Sequence, residues 1–159
     1  MKIVHDPIAQ FMQEHDKALE RLKLLNKAVS AVSQNGYSYG NFRQIAGALK
    51  FIEKEVRDHN RKEERALFPA LEQHVAGPTR ILRNEHKKLR AKYIRLKKAA
   101  DRLNNNRDSF SAIKKLAGES KETVQLLVNH IHKENHILFP LVRKFISKDE
   151  MREIAKKML

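Results

Sequence analysis

Residues 59–74 read HNRKEERALFPALEQH, and residues 130–141 read HIHKENHILFPL. Each stretch carries a histidine and, four residues later, a glutamate: His59 with Glu63, and His130 with Glu134. A separation of four residues places both members of a pair on the same face of an α-helix. The tripeptide Leu-Phe-Pro then follows each pair at the same distance. The two stretches therefore predict two equivalent helices that carry the same polar pair on one face.

The match between these stretches extends along the chain as an internal repeat. Its members lie 71 residues apart, which is the distance from His59 to His130. The matched polar residues outside the two stretches are His15 with His86, and Glu14 with Glu85. We interpret residues 1–159 as a single domain built from two helical-hairpin repeats, at about 5–75 and 78–146.

The composition favours helices throughout the chain. Good helix formers such as Ala, Leu, Lys and Glu dominate, whereas there are only five glycines and four prolines. Apolar residues recur at alternating spacings of three and four along four long segments, which is the period of an amphipathic helix. Joined by short loops, these segments predict an all-α protein, an up-down-up-down four-helix bundle with a short C-terminal helix.

Capping residues predict where the helices begin. Asp6 followed by Pro7 is a favourable start for the first helix, and Asn41 with Gln44 three residues later predicts a capping box for the second. The remaining starts are expected at Thr79, around Ser109 and after Ser147. Helix ends are less well marked, because Pro69 and Pro140 are expected to end or kink their helices at the preceding residue.

Six polar residues fall on the apolar stripes of these helices, so their side chains are expected to point into the core. They are His15, His59, Glu63, His86, His130 and Glu134. The fourth stripe is expected to continue beyond Glu134 through Ile137 and Leu141. A buried carboxylate is costly unless it is paired or coordinates a cation, and only imidazoles lie beside these two glutamates. The six residues therefore predict a metal site.

The ligand types indicate which metal this site would hold. Each repeat supplies two histidines and one carboxylate, the set found in non-haem iron sites with open positions. Two such sets facing each other predict two iron ions, Fe2+ or Fe3+, with both carboxylates bridging them and an oxo or hydroxo group as a further bridge. A single tetrahedral zinc would leave ligands unused, and calcium or magnesium prefers more oxygen ligands. An open position on each iron would admit O₂ or NO.

Other polar and aromatic residues near the two stretches have simpler interpretations. His132 and His136 face away from His130 by the helical period and are expected on the surface. Glu64 lies one position off the inward face and is expected to be a surface charge. The phenylalanines that follow the pairs, Phe68 and Phe139, are expected to pack the end of the bundle.

The chain carries a formal charge of +14, which is compatible with nucleic acid, an anionic membrane or an acidic partner protein. Its Lys and Arg residues are spread over most helices and form no recognisable nucleic-acid motif, so we favour solvated helix faces. The chain has no cysteine, no apolar run long enough to span a membrane and no signal-peptide pattern at its start. We expect a cytoplasmic protein without disulfides.

The segments Glu14-His15-Asp16, 59–74, Glu85-His86-Lys87 and 130–141 together resemble the hemerythrin-like, or HHE cation-binding, domain family. The resemblance covers nearly the whole chain. It implies a four-helix bundle with a carboxylate-bridged di-iron centre and a role in O₂ or NO binding, redox sensing or iron–sulfur cluster repair. Oxygen carriers of this family have a fifth histidine where this chain has Arg90. The resemblance is therefore closer to the repair and sensing members.

Three functions remain open on the sequence. The first is a non-haem di-iron protein that binds a small molecule such as O₂ or NO for sensing, storage or a redox response. The second is a di-iron redox enzyme or an iron donor in the repair of iron–sulfur clusters. The third is a regulatory or structural metal module whose basic surface binds a partner. We favour the first, because the chain carries no flavin, haem or cysteine site that would supply electrons.

Overall fold

A computed structural model describes residues 5–159 of the chain, so the first four residues of the segment considered for a signal peptide lie outside it. The described residues form five helices. We treat segments that continue through a wider π-helical turn as one helix. The helices are α1 (Pro7–Asn35), α2 (39–72), α3 (Pro78–Asn105), α4 (110–145) and α5 (Lys148–Lys157). The prediction of an all-α bundle is confirmed.

Helix α1 begins as the sequence predicts. The side chain of Asp6 accepts a hydrogen bond from the backbone N–H of Ile8, and Pro7 occupies the first turn. The helix ends at Gly36, whose φ of 85° lies in the left-handed region that glycine adopts without strain. Its predicted apolar stripe is buried throughout, and this stripe consists of Ile8, Phe11, His15, Ala18, Leu22, Leu25, Val29 and Val32.

Helix α2 begins three residues earlier than the capping-box pattern predicted. Its N-cap is Ser38, whose hydroxyl accepts a hydrogen bond from the backbone N–H of Asn41. Serine is as good a cap as asparagine, and the extended backbone of Ser38 leaves its hydroxyl free to reach that N–H. The prediction that Asn41 starts the helix was therefore wrong. The predicted cap of α4 at Ser109 and the capping box of α5, formed by Ser147 and Glu150, are present.

Neither helix ends before its proline. A π-helical turn precedes each one, at Glu63–Leu67 in α2 and at Glu134–Leu138 in α4. The N–H of Phe68 donates to the carbonyl of Glu63 across this wider turn, and the helix continues through the proline. The wider turn spaces inward residues further apart than an α-helix does. For that reason Leu138 is buried and Ile137 is 55 % exposed, which corrects the predicted end of the fourth stripe.

The four long helices form a ring in which α1 packs on α2 and α4, and α3 packs on α4 and α2. Two apolar clusters fill the space inside this ring. One lies towards the loop that joins α1 to α2 and contains Leu25, Leu96 and Leu103. The other contains Phe11, Phe68 and Phe139 and is covered by α5. The six predicted ligand residues belong to neither cluster, because they lie between the two.

No helix within residues 5–159 is both long enough and apolar enough to cross a membrane. The side chains that face outward on the long helices are mainly charged.

The neighbours Leu24 and Leu25 provide a direct test of the packing of α1. Leu25 is fully buried in the first apolar cluster, whereas Leu24 is 45 % exposed. We expect Leu25→Ala to lower the free energy of unfolding by about 2–5 kcal/mol, because the substitution leaves a cavity in a packed core. We expect Leu24→Ala to change it by less than about 1 kcal/mol. Urea unfolding of both variants measures the difference, and equal losses would show that the face of α1 is assigned wrongly.

Candidate metal centre

All six residues predicted as ligands lie together in one buried cluster. Their potential ligand atoms form two overlapping groups, and within each group the atoms lie within 4.8 Å of one another. The first group contains His15 and His59, and the second contains His86 and His130. Glu63 and Glu134 belong to both groups. This arrangement has the composition expected for two cations that share two carboxylates, and the role of each residue as a ligand stays a prediction.

The four imidazole rings present their Nε2 atoms to the centre of the cluster. The Nε2 atoms of His15 and His59 lie 3.0 Å apart, and those of His86 and His130 lie 3.1 Å apart. Two nitrogens that each lie about 2.1 Å from one ion, at a right angle, are about 3.0 Å from each other. The spacing within each histidine pair therefore suits two ligands of a common metal ion.

The two carboxylates at the centre are the strongest sign of a cation. Glu63 and Glu134 are both 0 % exposed. Both carboxylate oxygens of Glu63 and the Oε2 atom of Glu134 lack a hydrogen-bond partner within the described chain. Oε1 of Glu134 lies 2.9 Å from Nε2 of His15, and Oε1 of Glu63 lies 3.3 Å from Nε2 of His59. Buried carboxylate oxygens without donors are costly, and metal cations would satisfy them.

Without metal, protons would take the place of the cations. Burial lowers the pKa of His59, but the charge of Glu63 and a hydrogen bond to Glu134 raise it well above its usual range. Burial likewise opposes protonation of His130, and the hydrogen bond and charge of Glu134 raise its pKa to about 9. For Glu134 itself, burial raises the pKa, but the nearby imidazole of His130 and the hydrogen bond from His15 hold it well below the usual range. The metal-free centre thus holds the charged carboxylate of Glu134 beside the protonated imidazoles of His59 and His130.

Two ligand histidines are oriented by a glutamate and a lysine that also repeat at 71 residues. Nδ1 of His59 donates to Oε1 of Glu14 at 2.9 Å, and Lys62 donates to the other oxygen of Glu14 at 2.6 Å. In the second repeat His130 donates to Glu85 at 2.9 Å, and Lys133 donates to Glu85 at 2.5 Å. Burial opposes ionisation of Glu14, but the hydrogen bonds from His59 and Lys62 lower its pKa to about 2. A charged partner on Nδ1 keeps Nε2 free to bind a metal.

The other two ligand histidines have partners that the sequence analysis did not identify. Nδ1 of His86 donates to Oε1 of Glu64 at 2.8 Å, and Nδ1 of His15 donates to Oδ1 of Asn135 at 2.7 Å. Glu64 is partly exposed, as predicted for a surface charge, and it also accepts a hydrogen bond from His86 on α3. The signal was present in the sequence, since positions 64 and 135 are themselves 71 residues apart.

Two phenylalanines pack against the imidazoles of the cluster. Phe139 stacks on His15 with ring centroids 5.4 Å apart, and Phe68 stacks on His86 at 5.6 Å. These phenylalanines therefore do more than pack the end of the bundle, because each fixes the plane of one predicted ligand ring. The π-helical turns bring them there, because an ordinary α-helical turn would carry them to a different face.

The remaining histidines lie outside the cluster. His132 and His136 are exposed and stack on each other with centroids 5.8 Å apart, as expected for surface residues. His74 pairs with Glu150 at 2.8 Å and so joins the end of α2 to α5. Arg90 is exposed on α3 and contributes nothing to the centre.

A cavity of about 100 Å³ reaches the cluster from the side where α1 and α2 meet. His15 and His59 line it, together with apolar side chains such as Ala18, Val56 and Ile131. Glu55 and Asp58, both exposed, also contribute to its lining. A diatomic molecule or a single ion would fit in this space, so the centre is within reach of small solutes even though its ligand residues are buried.

The fold and the cluster define a class: four-helix bundle proteins with a buried two-metal centre built from histidine and carboxylate side chains. The family model described as the hemerythrin HHE cation binding domain matches residues 6–142. The chain belongs to this family, as the resemblance implied. It is accordingly a non-haem di-iron protein.

Several curated proteins are similar to the chain. The iron–sulfur cluster repair protein YtfE of Musicola paradisiaca is 28 % identical over 137 residues, which cover 84 % of this chain and 61 % of that protein. The corresponding protein of Cronobacter sakazakii is 26 % identical over 84 % of this chain and 65 % of its own length. The iron–sulfur cluster repair protein DnrN of Neisseria gonorrhoeae is 30 % identical over 85 % of this chain and 86 % of that protein. The chain thus spans less than two thirds of the first two relatives and most of the third.

Substitutions of His130 and His132, which lie two residues apart on the same helix, distinguish a ligand from a surface residue. We expect the purified protein to contain close to two irons per chain, and Glu134→Ala or His130→Ala to lose iron because each removes a ligand. His132→Ala should keep the full complement, since its ring is exposed. Plasma emission spectrometry of anaerobically prepared protein measures the metal. One zinc and no iron, or equal loss in His130→Ala and His132→Ala, would contradict the ligand assignment.

Metal binding should depend on pH, because protons on His59 and His130 must leave before Nε2 can bind an ion. With pKa values raised to about 9 for His130 and also well above the usual range for His59, both rings are protonated at pH 7 in the metal-free protein. Fe2+ uptake at pH 7 should therefore release protons, and affinity should rise with pH, about tenfold per unit for each proton displaced. Calorimetry in buffers of different ionisation enthalpy measures this release. Uptake without proton release would contradict it.

Proposed function

We propose that the protein acts in the repair of iron–sulfur clusters through a di-iron centre held by His15, His59, Glu63, His86, His130 and Glu134. The observation that carries this proposal is the buried cluster itself, in which three of the four carboxylate oxygens lack a hydrogen-bond partner and to which a cavity leads. The names of the relatives support the choice of repair over the other functions considered. The DnrN relative is the most informative, because the aligned region spans 86 % of its length.

Iron bound in this cluster would supply redox chemistry, a binding position for a small molecule and a store of iron for a damaged cluster. The side chains of this protein have separate tasks around it. Glu63 and Glu134 supply two negative charges at the centre. Glu14 and Glu85 orient the rings of His59 and His130. The apolar clusters above and below keep bulk water away from the site, which strengthens every charge interaction within it.

This proposal reverses the order in which the sequence ranked the functions. The absence of an internal electron source favoured binding or sensing, but a repair protein that gives up iron to a partner needs no internal electron source. The partners would then be iron–sulfur proteins. A repair protein works where such partners are found, and on that ground we propose a cytoplasmic location.

A second candidate function is the binding of O₂ or NO. The observation that favours it is the cavity of about 100 Å³ beside His15 and His59, whose walls include Ala18, Val56 and Ile131. The apolar side chains of this wall suit a small uncharged molecule, and Glu55 and Asp58 also line the cavity. NO binding and repair are compatible, since a repair protein can respond to the agent that damages the clusters.

The repair proposal is tested with a hydratase whose [4Fe–4S] cluster has lost one iron by oxidation. We expect the iron-loaded protein to restore its activity faster than the same concentration of free Fe2+, because the iron is delivered from a defined site. Glu134→Ala should restore no more than free iron, and His132→Ala should match the unchanged protein. Hydratase turnover and the electron paramagnetic resonance signal of the damaged cluster report recovery. Recovery equal to that with free Fe2+ for all three proteins would exclude this function.

The second candidate is tested separately by adding NO to the anaerobic di-ferrous protein. We expect a new visible absorption band and a saturable signal at no more than one NO per iron. Narrowing the cavity with Val56→Phe should weaken binding without removing iron. A spectrum that does not change with NO would leave repair as the only one of the two functions supported.

A further inference from the structure

The internal repeat gives the two metal positions the same ligand types, but the side chains around those ligands differ. The two sets are compared residue by residue at the offset of 71, so that each difference has a matched position in the other set. We define the first set as His15 with His59, and the second set as His86 with His130. Both share Glu63 and Glu134. Three matched pairs around these sets are unlike, and the first of these differences carries the inference.

The first difference is the hydrogen-bond partner of the histidine on the first helix of each repeat, which is α1 in one repeat and α3 in the other. His86 donates to the carboxylate of Glu64, whereas His15 donates to the amide oxygen of Asn135. The second histidine of each set has a carboxylate partner in both cases. The second set is therefore oriented by two carboxylates and the first by one. A carboxylate on Nδ1 makes the imidazole a stronger ligand, and losing such a partner lowers metal affinity about 10- to 100-fold.

The second difference concerns the space beside the ligands. Ala18 lies three residues after His15 and lines the cavity, whereas the matched residue after His86 is Leu89, which is buried and packs in the first apolar cluster. A second cavity, of about 340 Å³, is lined by His86 and Leu89, so the larger side chain of Leu89 does not close the approach to the second set. The cavity beside Ala18 touches both histidines of the first set but only His130 of the second.

The third difference concerns polar groups along the cavity. Asn60 lines it and its Oδ1 atom is buried without a hydrogen-bond partner in the described chain, whereas the matched residue in the second repeat is the apolar Ile131. Glu55 and Asp58 stand where the second repeat has Leu126 and Asn129. Asn60 also lines the second cavity, together with Glu53 and Glu64, so oxygen atoms that a hydrated divalent cation can contact lie along the approach to both sets.

We propose that the two irons are unequal: the ion held by His15 and His59 exchanges with solution through the cavity, and the ion held by His86 and His130 is retained. The inequality comes from the hydrogen-bond partners, because weaker orientation of His15 lowers the affinity of the first position. The cavity beside Ala18 gives the ion that leaves this position a path to solution. This inference rests on the proposed set of six ligands, but it does not depend on cluster repair.

The test follows iron release from the fully loaded, anaerobic protein into an excess of the chelator ferrozine. We expect two phases of one iron each, with the first at least about tenfold faster than the second. Crystals of protein stopped after the first phase should show anomalous scattering from iron between His86 and His130. A single phase that removes both irons, or retained iron between His15 and His59, would overturn the proposal.

Exchanging the unlike residues between the two repeats tests which of them makes the release rates of the two irons unequal. Asn135→Glu gives His15 the carboxylate partner that His86 already has and should slow the fast phase, whereas Glu64→Asn should speed the slow phase. Ala18→Leu should also slow the fast phase by filling the cavity. Its counterpart, Leu89→Ala, should speed the slow phase. If Asn135→Glu and Ala18→Leu both leave the fast phase unchanged while circular dichroism shows a folded protein, the proposed origin of the inequality is wrong.

The outcome is distinct from that of the repair assay. Iron release needs no cluster protein, so two unequal phases can be seen even if the protein repairs nothing. Equal release of both irons would in turn leave the repair proposal intact. A protein that binds fewer than two irons would overturn the ligand set, and this inference would fall with it.

Discussion

Two fully buried carboxylates lie at the centre of this bundle, and three of their four oxygens lack a hydrogen bond from the described chain. Few features of a folded protein are more costly than unpaired buried charge. The Nε2 atoms of four imidazoles lie around these oxygens at distances that suit shared cations. The other nitrogen of each imidazole donates to a glutamate or asparagine side chain farther from the centre. The metal ions therefore complete the core of this protein, and the rest of the bundle can be understood as the scaffold that keeps this charge in place.

Both hairpins supply the same types of residue to this scaffold. Each hairpin supplies two histidines, a glutamate, a second glutamate that orients a histidine, and a lysine that holds the orienting glutamate. Since the helices of the ring bring matched positions face to face, one repeated pattern satisfies both halves of the site. The departures from the repeat carry as much information as the matches. Asn135 stands at the position matched to Glu64, so the histidines of the two halves differ in the charge of their hydrogen-bond partners.

The π-helical turns show how closely the backbone depends on the site. A third turn, at Ile52–Val56, lies elsewhere in α2, but the other two each begin at a central glutamate and end one residue before a phenylalanine that stacks on a predicted ligand ring. The proline that follows lacks an N–H and cannot complete an ordinary α-helical turn. The wider turn accommodates it and shifts the inward face by about one residue. This shift places Leu138 in the core and leaves Ile137 outside, so a regular helical period gave a wrong prediction at that point.

The sequence by itself determined the helical class, the two hairpin repeats as an interpretation, the start of α1 and the six residues that meet at the centre. These follow from local periodicity and from the spacing of four between histidine and glutamate, both of which can be counted along the chain. Only the tertiary structure decided the partners of the ligand histidines, because Glu64 and Asn135 each act on a different helix from their own. It also decided the π-helical turns and the cavity at Ala18, since both depend on how side chains from three helices fill one space, which no single stretch of sequence specifies.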